Sequence, residues 1–133
     1  MAPASYPDDL LYHPEHDWAR IDAADPEHAV LGITWFAQDS LGELVHFEPP
    51  DIGSNVAKDE SYGEVESVKA VSDLIAPLSG EVLRVNAAVV DAPETVNEDP
   101  YGNGWLLRIR VADPDEVDAL LDAGAYRELL ANQ

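Results

Sequence analysis

No cysteine occurs anywhere in the 133 residues. No disulfide can therefore staple the fold, and no thiolate is present to act as nucleophile or metal ligand. Cations are scarce as well: seven Lys and Arg stand against 27 acidic residues, a formal charge of −20. Nucleic-acid binding is mostly cationic contact with phosphate, and the inner membrane leaflet is anionic, so neither is an expected partner. The acidity either serves solubility or steers the chain toward basic enzyme surfaces. Long apolar runs are missing too. The longest, around "AVLGITWFA", falls far short of the ~20 residues of a membrane helix. The start, "MAPASYPDDLLYHPEHDW", has neither the basic and apolar stretches of a secretion signal nor the Arg- and Ser-rich pattern of a transit peptide. The expectation is a soluble, cytoplasmic, monomeric protein.

Catalytic signatures are equally thin. There is no G-x-S-x-G elbow and no glycine loop to cradle phosphate. His13 and His16 in "HPEH" lie three apart, but zinc motifs have more ligands at set spacing. His28 and His46 are scattered. A small metal hydrolase built on His13 and His16 is the least favoured reading.

What is present reads as an α+β, mainly β chain forming one domain over residues 1–133, long enough to bury about two-thirds of its unfolded surface. Residues 1–11 are Pro- and Asp-punctuated and expected to be loosely ordered. "HDWARIDA" and "HAVLGIT" read as strands. Thr34 is placed to cap a helix through "WFAQDSL", with Gly42 stopping it and Phe36, Leu41 and Trp35 toward the core. "ELVHFEP" alternates, putting Leu44, His46 and Glu48 on one side and Val45 and Phe47 on the other. "YGEVESV", "VSDLIAP" and "GEVLRVNA" are three further strands, and "DAPETVNEDPYGNG" reads as a long loop. "WLLRIRV" is a strand with Leu107, Ile109 and Val111 opposite Arg108 and Arg110. Trp18, Trp35 and Trp105 are simplest as core or partly buried anchors. C-terminal helices are expected over 113–132: Asp113 caps, Pro114 sits at the first helical position, and Glu116 has capping-box spacing. Gly124 is expected to break this region in two.

One of only two lysines stands in "ESVKAVSD". Strand patterns flank it, so a reversal is required, yet Val68-Lys69-Ala70-Val71 offers no Gly, Asn, Asp or Pro for the turn. A lysine at a hairpin tip presents a flexible stem and a primary amine that a second enzyme can acylate. Composition alone favours a solubilising surface lysine.

These segments, in order, resemble one known family. "YHPEHDW", "GITWFAQDSLGELVHFEPPDIG", "ESVKAVSD", "SGEV…VN", "NEDPYGNGW" and "DP…LLDAGAY" are similar to the successive markers of glycine cleavage system H proteins, over about Tyr12 to Leu130. The resemblance implies a flattened antiparallel barrel-sandwich hybrid of the lipoyl/biotinyl kind, with lipoic acid in amide linkage to Lys69 at a hairpin tip. It implies that a lipoate ligase or lipoyltransferase recognises Glu66, three before the lysine, and Gly80, eleven after. It also implies a carrier role in one-carbon metabolism without enzymatic activity of its own. The partners so implied are a pyridoxal-phosphate glycine decarboxylase, a tetrahydrofolate-dependent aminomethyltransferase, and dihydrolipoyl dehydrogenase. The family shelters its loaded arm in a cleft beside the hairpin. Asp17 stands where many members have Glu, and Ser40 where some have His. Alternatives are an H-like protein relaying lipoate to other proteins, or a lipoyl domain of another acyl-transfer complex. Against the latter, such domains usually place Asp before the lysine, where this chain has Val68.

Overall fold

The computed structural model describes residues 4–133. In chain order the strands are β1 (Leu11–Tyr12), β2 (Asp17–Ile21), β3 (His28–Ile33), β4 (Leu44–Glu48), β5 (Asn55–Val56), β6 (Ser61–Ser67), β7 (Val71–Ile75), β8 (Gly80–Val85) and β9 (Leu107–Val111). They form a six-stranded sheet, β1-β2-β3-β9-β8-β5, and a three-stranded sheet, β4-β6-β7. Every pairing is antiparallel. Both sheets feed one apolar core: Leu31, Val82 and Ile109 from the larger, Phe47, Val65 and Leu74 from the smaller. The result is the expected flattened antiparallel sandwich.

Where a strand has one buried face, period-two patterning sets it. In β9, Leu107 and Ile109 are fully buried while Arg108 and Arg110 point outward. β4 departs from the expected alternation. Its register against β6 shifts between Leu44 and His46. That irregularity places Leu44 and Phe47 inside, with Val45, His46 and Glu48 exposed. A bulge inserts a residue that one-strand periodicity cannot show.

Helix α1 (Trp35–Leu41) begins as expected, with the Thr34 hydroxyl accepting from the Ala37 N–H. It ends at Gly42, whose φ of 83° suits a residue without Cβ. The side chain it buries is Gln38, not Phe36. Phe36 instead lies against the His16 ring at 4.5 Å between centroids. The segment read as a loop begins on the last residue of one short helix, α2 (Ala87–Asp91), and contains a second, α3 (Thr95–Glu98). Helices this brief are not stable through propensity. Burial of Val89 and Val96 and the Asn86 cap on the Ala88 N–H hold them.

Beyond α3, the turn "NEDPYGNGW" is a structural hub. The Asp99 carboxylate accepts from Gly102 and Asn103 N–H. Trp18 Nε1 donates to Pro100 O, and the Tyr101 hydroxyl accepts from Trp35 N–H.

The C-terminal region also differs in detail. A 3-10 helix runs Pro114–Ala119, capped by Asp113 on Asp115 N–H. Glu116 does not close a capping box; its carboxylate accepts from the Ser79 N–H and hydroxyl. The break falls at Leu121, which exchanges two backbone hydrogen bonds with Tyr12. Asp122 then caps α4 (Ala123–Ala131), so Gly124 lies inside that helix. Tyr126 of α4 stacks on Tyr12 at 4.7 Å. The described part of the segment expected to be loose is tied to this cluster. Leu10 is buried, Tyr12 donates to Pro7 O, Tyr101 to Ser5 O, and Arg127 to Tyr6 O.

Candidate functional site

β6 and β7 form a hairpin with Glu66 opposite Val71. Its tip is Ser67-Val68-Lys69-Ala70. None of these residues has a positive φ, so the turn needs neither Gly nor Asn. Ser67 supplies what turn chemistry lacks. Its buried hydroxyl accepts from the N–H groups of Lys69 at 3.3 Å and Ala70 at 3.1 Å, and donates to Ala70 O. The Ser67 N–H donates to Ala70 O at 2.8 Å. This is a serine-closed turn. The only sequence signal was a hydroxyl residue two before Lys69. Ser67→Ala should destabilise the protein by about 1 kcal/mol and speed amide hydrogen exchange at Lys69 and Ala70 selectively. Unchanged protection there would remove Ser67 from the role.

The tip holds its side chains out. Val68 is 79% exposed, and Lys69 is exposed and makes no ion pair among the described residues. The stem leans toward the end of α1: a Cβ on Gly42 would stand 3.7 Å from Lys69 Cε. Next to Gly42 lies a cavity of about 280 Å³ lined by Glu43, Glu94, Asn97 and Glu98. Asn97 joins its walls, donating to Gly42 O and Gln38 Oε1 and accepting from the Leu44 N–H. Its role depends on α3, which the sequence did not reveal. The other lysine is different: Lys58 Nζ lies 3.6 Å from Asp59.

Glu66 is exposed on β6, between His46 of β4 and Val71 of β7. Gly80 is buried in the other sheet, opposite Val111 and Val56. The structure therefore brings Glu66 to the hairpin and leaves Gly80 in the six-stranded sheet. Ser40 is exposed near the end of α1.

Asp17 is 2% exposed and lies by the Ile75 N–H, at the hairpin's base. Six positions along the chain, at most roughly 20 Å, separate Ile75 from Lys69. Burial holds the Asp17 carboxyl well above the ordinary aspartate value; the Glu15 charge adds to this and the Ile75 N–H opposes it. Asp17 Oδ1 and the Tyr62 hydroxyl are both buried without a hydrogen-bond partner. An unfolded Asp17 ionises near 3.8, the folded one only at higher pH. Between those values the native state holds the extra proton, so Asp17's contribution to stability falls as pH rises from about 4. Asp17→Asn should flatten that decline and stabilise the fold at neutral pH by about 1–3 kcal/mol. Denaturant melts of both proteins from pH 4 to 8 check it; parallel curves would contradict it.

The two histidines of "HPEH" do not converge. His13 Nε2 lies 2.6 Å from Asp59 Oδ1, and His16 Nδ1 lies 2.7 Å from the Tyr126 hydroxyl. No cluster of three or more metal-ligating side chains occurs among the described residues. None of their helices is long and apolar enough to cross a membrane.

A rigid antiparallel sandwich that holds one unpaired lysine out on a tight hairpin has the form of a carrier domain, a scaffold for a covalently attached group. Comparison with known proteins is more specific. The glycine cleavage H-protein family profile matches residues 10–133, and the chain belongs to that family. It is 52% identical over 127 residues to a glycine cleavage system H protein of Halorhodospira halophila, covering 96% of each chain. It is 48% identical over 126 residues to that of Myxococcus xanthus, covering 95% of each. The crystal structure of a glycine cleavage system H protein from Mycobacterium marinum superposes with a TM-score of 0.86 at 42% identity, covering 94% of this chain and 98% of that one.

Proposed function

We propose that the chain is the lipoyl carrier of a glycine cleavage system, with the lipoyl group in amide linkage to Lys69 Nζ. The observation that carries this reading is the Lys69 side chain, exposed and unpaired on a turn closed by Ser67. Lys58, the other candidate amine, is paired with Asp59. The absence of cysteine fits as well, since a protein thiol would exchange with a lipoyl disulfide. When bound, the lipoyl group would supply a disulfide able to take a one-carbon fragment onto one sulfur as the S–S bond is reduced, and a dithiol once that fragment is passed on.

The chain's own residues present and position. Ser67 fixes the tip, the β6–β7 ladder holds it clear of the core, and Gly42 leaves the lysine stem room beside α1. Glu66, one strand pair below the tip, is open to a lipoate ligase. Gly80 contributes to recognition indirectly, by keeping β8 packed on β9. Carrier partners in this reading are the pyridoxal-phosphate glycine decarboxylase, the folate-dependent aminomethyltransferase and dihydrolipoyl dehydrogenase; the chain catalyses none of their steps. The acidic surface suits brief docking, since electrostatic steering raises encounter rates with basic surfaces.

Intact-mass analysis with peptide mapping of the protein from its native host tests the site. One lipoyl amide is expected, on Lys69 and not on Lys58. An unmodified chain in cells with an active ligase, or a label on Lys58, would sink the assignment.

A further inference from the structure

Cations are few in this chain, yet they are not scattered. Arg20 of β2 stands opposite Val30 of β3, Val30 opposite Arg108 of β9, and Arg108 opposite Arg84 of β8. One row crossing four strands thus carries three of the five arginines on the outer face of the large sheet. Like charges directly opposite each other destabilise a sheet, and Arg84 and Arg108 are such a pair.

The row floors a cavity of about 250 Å³ lined by Arg20, Val30, Arg84, Trp105 and Arg108, with no acidic residue in its wall. A second cavity, of about 480 Å³, shares Arg20, Val30 and Arg108 and brings in Asp9 and Asp22. The two form one concave surface. Its charges are only partly answered. Arg108 pairs with Asp22 and touches His28 Nδ1, while Arg20 donates to the Tyr101 carbonyl. Arg84 has no hydrogen bond or ion pair among the described residues; its guanidinium lies 5.9 Å from the Trp105 ring centroid. Arg20 lies similarly, 5.2 Å from the Trp18 ring. Cation–π attraction favours both guanidiniums beside aromatic walls. Planar guanidinium forks suit the paired oxygens of phosphate or carboxylate.

We propose that this cavity is a binding site for a small polyanion, engaged through its phosphate or carboxylate oxygens. Concavity of this size suits a small molecule. The chain's net charge of −20 repels a long polyanion such as nucleic acid. The site lies on the six-stranded sheet and is independent of the Lys69 hairpin on the other.

The test is calorimetric titration of the full chain with pyrophosphate and, separately, with citrate, at ionic strength matched by sodium chloride. Wild type and Arg84→Gln are compared; Arg84 makes no fold-holding hydrogen bond, so the variant should fold, as a thermal melt verifies. At least one probe should bind wild type, and Arg84→Gln should weaken it by about tenfold or more. Pyrophosphate alone would assign phosphate chemistry, citrate alone carboxylate chemistry, and both a general oxyanion site. Binding of neither above the chloride control, or equal binding to the variant, would overturn the proposal. Neither result bears on lipoylation.

Discussion

Lys69→Arg should reduce glycine cleavage in a reconstituted mixture to background while leaving the fold intact. Arginine keeps the positive charge and most of the stem length. Its guanidinium stays protonated and is not an acylatable amine. The substitution therefore removes one property, the capacity to form an amide, and little else. Nothing in the fold leans on the lysine: it is exposed and makes no ion pair among the described residues. Surface changes of this kind usually alter stability by no more than about 0.5 kcal/mol. A melt and circular dichroism should match wild type. Lys58→Arg is the control, expected to retain turnover because its ammonium–carboxylate pair with Asp59 survives the exchange. Turnover persisting in Lys69→Arg would end the carrier account.

The sequence made some of this legible and hid the rest for identifiable reasons. The strands around Lys69, the Thr34 cap and the β9 alternation were readable because local pattern and final burial agree there. The turn looked unfavourable because the usual turn residues are absent. Its solution is a hydroxyl placed to accept two N–H groups, which shows only when the register is known. The bulge at Val45 depends on β6, its partner strand. Helices α2 and α3 rest on burying Val89 and Val96, not on periodicity. Gly124 reads as the break because glycine is a poor helix former, yet Asp122 caps α4 and Leu121 pairs with Tyr12. The family markers single out Lys69 and Glu66, and both lie exposed on the β6–β7 hairpin. They could not reveal the arginine row, since its members come from three strands brought together only by pairing.

Gly80→Ala should destabilise the protein by about 3 kcal/mol, through backbone contact and not through lost recognition. A Cβ at this position would stand 2.3 Å from Arg110 O and 3.0 Å from both Arg110 C and Ile109 Cδ1. Two of those atoms are main chain of the neighbouring strand, so no rotamer change relieves the clash; β8 and β9 have to separate. That separation loosens the pairing at the start of β8, where Gly80 meets both Val111 and Val56. The denaturant midpoint should fall at nearly constant slope. Lipoylation then distinguishes two roles. If Gly80 serves the ligase only by keeping the sheet closed, the variant should be modified at close to the wild-type rate under conditions where it remains folded. The loss should appear only as the folded fraction drops. A variant of wild-type stability would contradict the packing account. A folded variant modified far more slowly would mean that the ligase reads this part of the sheet directly, at a distance along the chain from the amine it acylates.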